Sequence, residues 1–291
     1  GEDNCSIYSE DISQKSSNML RLNLILNNLS HSIPNIIKTN TIAEPYYLNT
    51  QFDYIVSNPP FKLDFSDFRD GLEKDAFKQR FFAGIPKVPA NKKESMAIYL
   101  LFIQHIMHSL SKKGKGAVVV PTGFITAQSG IEKNIREQLV ERGWLRGVVS
   151  MPSNIFASTG TNVSVLFMDK LADNKHIVLV DASKLGQTIK DGKNQRTVLT
   201  RAEEDRIVNA MNEKKAEADF SVVITADDIR NKNYSFSAGQ YFEVKMEYVD
   251  ITAKQFAEKM NGYEKSLQQY FKEGAALEKQ ILEQLKSLKY E

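Results

Sequence analysis

Short apolar runs alternate with stretches of helical periodicity through residues 1–170. This alternation constrains the fold more than any other feature of the chain. Ser6-Ile7-Tyr8, Asn35 to Lys38, Phe52 to Ser57, Ala117-Val118-Val119-Val120, Gly147-Val148-Val149-Ser150 and Val163 to Met168 read as strands. Ser16 to Leu29, Glu94 to Leu110 and Ile131 to Glu141 read as helices. Strands separated by helices of about 10–15 residues predict a doubly wound, mainly parallel α/β sheet covered on both faces. Gly114-Lys115-Gly116 reads as a helix stop. It precedes a strand, whereas a phosphate-binding glycine loop must follow one.

The rest of the chain has a different character. Within residues 176–249, His176 to Val180 suggests a strand, Thr200 to Glu217 a polar helix, and Asp227 to Tyr241 an irregular segment. No chemical motif stands out there. In residues 250–291 the residues Phe256, Met260, Tyr263, Leu267, Tyr270, Leu277, Ile281 and Leu288 fall on alternating spacings of four and three, interrupted at Gly274 and Gln284. That is roughly five imperfect heptads, which predicts a long helix with a coiled-coil seam. The alternative is a helix packed on its own domain. Lys286 and Lys289 suit its last turn.

Composition matters mainly for what it excludes. The 38 Lys and Arg nearly balance the 36 Asp and Glu, so DNA affinity would need a local patch or a partner. The single Cys5 excludes an internal disulfide and fits a reducing cytosol. No apolar run reaches the length of a membrane span.

The richest chemistry lies at Asn58-Pro59-Pro60-Phe61, directly after the strand Phe52 to Ser57. The carboxyl end of a parallel strand is where open α/β sheets build their sites. Asn offers an acceptor and a donor, the prolines cannot continue a ladder, and the aromatic ring can stack. Such a loop can grip an exocyclic amine and cover a flat ring, as an enzyme acting on a base outside the DNA stack requires. It could also be an ordinary turn. Asp11, with Glu10, could accept hydrogen bonds from ribose hydroxyls or simply cap a helix. Asn40 could reach an adenine edge or serve as a turn residue. Lys62, Arg69, Lys74, Lys78 and Arg80 are interleaved with Phe65, Phe68, Phe77, Phe81 and Phe82. That pattern suits a nucleic-acid face or a solvated mixed-charge flap over a core. His105 and His108 have helical spacing, but no further ligand completes a metal set, so no metal is expected.

At this point the residues resemble a known family. Asn58-Pro59-Pro60-Phe61 after Phe52-Asp53-Tyr54-Ile55-Val56 looks like the catalytic motif of adenine amino-methyltransferases. The wider series resembles the modification (M) subunit of type I restriction-modification systems. It comprises Ile7 to Ile12, Asn18 to Leu24, Val118 to Gly123, Ile131 to Leu139, Val148 to Pro152 with Phe156, and Thr159-Gly160-Thr161-Asn162 before Val163 to Phe167. The segment Asn233 to Tyr241 and the terminal coil also look like that family.

The resemblance implies a Rossmann-like methyltransferase sheet and transfer of a methyl group from S-adenosylmethionine to a flipped adenine in double-stranded DNA. Asn58 and the Pro59 carbonyl would hold the target amine, Phe61 would stack on the base, and Pro60 completes the motif. Asp11 would hold the cofactor ribose. Asn40 stands where the family usually has an Asp beside the cofactor adenine. The implied partner is a specificity subunit, with a second modification subunit and a restriction subunit as further candidates, all cytoplasmic.

The family's acidic residue and Gly-x-Gly cofactor turn, with the strand that carries them, have no counterpart in these residues. The expectation is therefore a C-terminal portion of a longer chain with an incomplete cofactor pocket, inactive alone. Its expected parts are a partial methyltransferase domain over residues 1–185, a mixed connecting region over 186–249, and a docking helix over 250–291. Two alternatives stay open. One is a non-catalytic assembly module, and the other a methyltransferase acting on RNA or on protein glutamine.

Overall fold

The chain begins with a small parallel pair. β1 (Ser9–Asp11) lies beside β2 (Ile36–Lys38), with α1 (Gln14–Leu26) between them in sequence. The Ser13 hydroxyl caps α1 by accepting the Ser16 N–H. The computed structural model describes residues 5–156, 161–192, 194–243 and 252–287. By Cα packing the chain forms two units, Gly1–Phe242 and Glu243–Glu291.

The remaining elements of the first unit follow in order. They are β3 (Phe52–Ser57), α2 (Ser66–Arg69), α3 (Asp75–Lys78), α4 (Tyr99–Ser109), β4 (Leu110–Pro121), α5 (Gly123–Thr126), α6 (Gly130–Glu141), β5 (Leu145–Ser150) and β6 (Val163–Asp169). Next come β7 (Ile177–Asp181), β8 (Gln187–Asp191), β9 (Asn194–Val198), α7 (Arg201–Glu213), β10 (Ser221–Ile224) and α8 (Ala226–Asn231). The main sheet has the order β10-β7-β5-β6-β4-β3.

This sheet is mixed rather than mainly parallel in its pairing. β3 with β4 and β5 with β7 are parallel, whereas β6 runs against both its neighbours and β10 against β7. The physical reason is the connection from β5 to β6, which carries no described helix, so the strand returns directly and antiparallel. An α/β architecture results. One sheet face packs Val118, Val120, Leu166 and Leu179 against Ile103 and Ile106 of α4, Ile135 and Leu139 of α6, and Ile229 of α8. The other face packs Val149, Val178 and Val180 against Ala210 and Met211 of α7.

Three local readings need correction. Residues 6–8 are not a strand: the Ile7 N–H is taken by the Ser32 hydroxyl, 3.0 Å away, and ladder pairing starts only at Ser9. Gly114-Lys115-Gly116 is no helix stop, because α4 ends at Ser109 and β4 already runs through it. A Cβ at Gly114 would sit 2.9 Å from the Phe52 carbonyl oxygen, so close approach of β3 requires glycine there. Asp227 to Tyr241 is not irregular throughout: α8 occupies Ala226–Asn231, and in the turns that follow Phe236 is fully buried and the Tyr241 hydroxyl donates to the Ser235 carbonyl at 2.6 Å.

In the second unit, taken by itself, the described residues form one helix, α9 (Ala253–Ser287). Thr252 and Gln255 form a reciprocal cap at its start. Phe256, Met260, Tyr263, Leu267, Tyr270, Leu277 and Ile281 are all exposed on it. Leu288 and Lys289 lie outside the described residues, as do Thr159 and Gly160.

Candidate active site

β3 delivers the Asn58-Pro59-Pro60-Phe61 loop at its carboxyl end. The register places Ser57 beside Val118, Pro121 beside Val163, and Ser150 beside both Ser164 and Asp181. The loops after β3, β4, β5 and β7 therefore open at one end of the sheet. The Thr122 N–H donates to the Asn162 carbonyl at 2.9 Å, tying two of these loops together. The β8–β9 hairpin, which sequence reasoning missed, reaches the same end, where the Thr197 N–H donates to the Asn154 carbonyl at 2.9 Å.

Within the loop the side chains divide by role. Asn58 is exposed, and none of the described residues hydrogen-bonds its side chain. Pro59 is buried, Pro60 exposed, and Phe61 half-buried. The Phe61 ring meets Tyr99 edge to face at 6.1 Å, and Tyr99 meets Phe124 the same way at 6.2 Å. This aromatic row fixes one wall of the loop on the core while leaving Asn58 free to face a ligand.

Behind that row lies Arg136, which is fully buried in α6. Its Nε donates to the Tyr234 carbonyl at 2.7 Å, and its two terminal nitrogens donate to the carbonyls of Phe124 and Ala127. Burial, opposed by Glu132, Glu137 and two tyrosines, lowers its pKa to about 10, so it stays charged at neutral pH. Sequence reasoning missed Arg136, which is buried beside Ile135, Leu139 and Val140 on one side of its helix.

Asp11 and Asn40 stand at the ends of β1 and β2. Asp11 Oδ1 accepts the Ser13 N–H at 2.6 Å, and no described residue donates to its second oxygen. Asn40 Oδ1 accepts the N–H groups of Ile42 and Ala43 at 3.0 and 3.1 Å. Its acceptor is therefore spent on its own turn, and only the amide donor remains for a ligand. β1 pairs with β2 alone and β3 with β4 alone among the described residues. On β3, Tyr54 is 77% and Val56 84% exposed, on the face opposite Ile55.

The basic and aromatic segment after Phe61 is not a stacking surface. Phe65 and Phe81 are buried with Ile42, Leu72, Met96, Ile98 and Leu101, and Phe68 and Phe77 pack against this cluster. Arg69 pairs with Asp70 and Glu73 at 3.0 and 2.7 Å, and Arg80 is 1% exposed. Aromatic spacing alone could not distinguish a second small core from a nucleic-acid platform. Among the described residues no three His, Cys, Asp or Glu side chains converge as a metal ligand set. Among the described residues no helix is long and apolar enough to cross a membrane.

The chain is similar to several known proteins. The family model described as N-6 DNA Methylase matches residues 1–249. The type I restriction enzyme MpnII methylase subunit of Mycoplasma pneumoniae is 31% identical over 258 residues, covering 84% of this chain and 45% of that protein. The HindI methylase subunit of Haemophilus influenzae is 24% identical, covering 99% of this chain and 63% of that protein. A crystal structure of a type I methyltransferase subunit from Streptococcus thermophilus superposes with a TM-score of 0.66 at 24% identity, over 82% of this chain and 48% of that one. The chain thus spans about half the length of the relatives it matches. With the matched model covering most of its length and a free Asn58 at the end of β3, the chain belongs to the N-6 DNA methylase family.

Proposed function

We propose that this chain is the catalytic half of a type I modification subunit, which methylates the exocyclic amine of an adenine flipped out of double-stranded DNA. One observation carries the reading: an exposed, unpartnered Asn58 sits at the carboxyl end of β3, beside a Phe61 seated on Tyr99. In this role the Asn58 side-chain carbonyl accepts one amine hydrogen and the Pro59 carbonyl the other, with Pro60 holding the turn. The amine nitrogen then keeps its lone pair directed at the incoming methyl, and Phe61 stacks on the base. Positioning and hydrogen bonding supply the catalysis.

The cofactor of this reading is S-adenosylmethionine, which when bound supplies an electrophilic methyl group. The residues present fit one wall of its site. The open oxygen of Asp11 suits a ribose hydroxyl, and the free amide of Asn40 suits an adenine edge. Among the described residues β1 and β3 each keep an edge unpaired, and a strand between them would complete both the sheet and the pocket. The partial methyltransferase domain then covers residues 1–185, residues 186–249 connect it onward, and 250–291 dock a specificity subunit. A second modification subunit and a restriction subunit complete the assembly, which we place in the cytosol.

Asn58→Ala in the whole subunit tests the reading. Methylation of adenine should fall by at least about a hundredfold, as for loss of a key polar contact to the reacting group. Binding to the specificity subunit should be unchanged. Near-normal methylation by this variant would exclude Asn58 from the chemistry.

A further inference from the structure

Arg80 is a buried cation that the catalytic reading does not use. Arg80 is 1% exposed, with its guanidinium carbon 4.8 Å from the Phe77 ring centre and 4.3 Å from that of Phe81. Its terminal nitrogens donate to the carbonyls of Thr41, at 3.4 Å, and Ile42. These two residues belong to the turn that Asn40 caps from its other side. Glu10 adjoins Asp11 in β1, accepts the Tyr47 N–H at 2.7 Å through Oε1, and takes the Thr41 hydroxyl at its backbone carbonyl. Glu10 Oε2 and Arg80 Nε are both buried without a hydrogen-bond partner.

Burial lowers the Arg80 pKa to about 10, and the Glu10 carboxylate opposes that fall. His105, whose buried Nδ1 also lacks a partner, is held neutral by burial. Glu10 is the nearby charge that favours the charged form of Arg80. A buried guanidinium without partners would be costly, and here the Thr41 and Ile42 carbonyls take its terminal N–H groups. Arg80 comes from the segment that follows Phe61, and that segment shares one small core with Ile42. The wall beyond the base loop and the turn beside the cofactor thus meet at this side chain.

We propose that Arg80 is a positioning residue that sets the Asn40 turn against the end of β1, and so fixes the adenosine side of the cofactor pocket. The proposal rests on the methyl-transfer reading. Arg80 touches neither substrate in this scheme. It acts through the Thr41 and Ile42 carbonyls and through Glu10, and a lysine would keep the charge but lose the fork that spans two carbonyls.

The test uses the whole native subunit and steady-state methylation with S-adenosylmethionine and DNA varied separately. In Arg80→Lys the KM for S-adenosylmethionine should rise about tenfold, with kcat and the KM for DNA within about twofold of wild type. Arg80→Met should do worse, and Glu10→Gln in that background should recover part of the loss by removing the unpaired buried charge. A lysine variant with an unchanged cofactor KM overturns the proposal. So does one that weakens cofactor and DNA steps equally, which is general softening of the fold. If Arg80→Met does not fold, the lysine variant decides alone. Wild-type subunit with no affinity for S-adenosylmethionine would instead overturn the methyl-transfer reading, and the proposal with it.

Discussion

His105 shows how burial governs a single residue here. Burial first, and then the charges of Arg80 and His108, lower its pKa to about 3. In the unfolded chain it titrates near about 6.5. The unfolded state therefore binds the extra proton between these values. Stability from this group is complete above about pH 6.5 and falls as pH drops toward about 3, at up to about 1.4 kcal/mol per pH unit. Urea unfolding of wild type and His105→Gln at about pH 7 and about pH 5 should show a smaller acid loss in the variant. Equal losses would remove His105 from the acid response. The same scale shows what a sequence can mark. Asn58 and Phe61 were legible because a polar amide and a ring beside two prolines have few uses at a strand end. Arg80 and Arg136 were not, because arginine in a mixed-charge stretch looks like surface until neighbours distant in sequence bury it.

At the scale of elements, the open edges of β1 and β3 matter most. Tyr8, Tyr47 and Phe52 pack their rings at 5.3 to 6.0 Å and hold the small sheet beside the large one at the start of β3. At the other end the strands lack a common neighbour among the described residues, and Tyr54 and Val56 stay uncovered. A pocket with one wall binds weakly, because the ligand keeps much of its surface in water. Calorimetry on this chain alone should therefore detect no micromolar binding of S-adenosylmethionine, while the longer subunit binds it. Micromolar binding by this chain would show that the residues present make the pocket themselves. Element positions were mostly legible, since β3, α6 and β6 follow clear apolar periods. Strand directions were less so. The direct return from β5 to β6 and the late hairpin β8–β9 depend on connections that carry no helix among the described residues, a weaker signal than a strand itself.

At the scale of the whole molecule, the two units divide the work in the proposed scheme. The first presents the catalytic loop, and α9 presents a stripe of exposed apolar side chains at alternating spacings of four and three. Such a stripe on a long helix suits burial against other helices. Deleting residues 250–291 from the whole subunit should abolish co-elution with the specificity subunit in size exclusion and spare cofactor binding. Co-elution that survives the deletion would place docking elsewhere. The sequence by itself determined the alternation of strands and helices, the amphipathic terminal helix and the chemistry offered at Asn58 to Phe61. Those depend on local periodicity and on the few conformations that proline and asparagine allow. Only the tertiary structure decided the mixed strand directions, the conversion of a basic aromatic segment into a small core, and the buried arginines behind the site. Those depend on which residues, far apart along the chain, exclude water together.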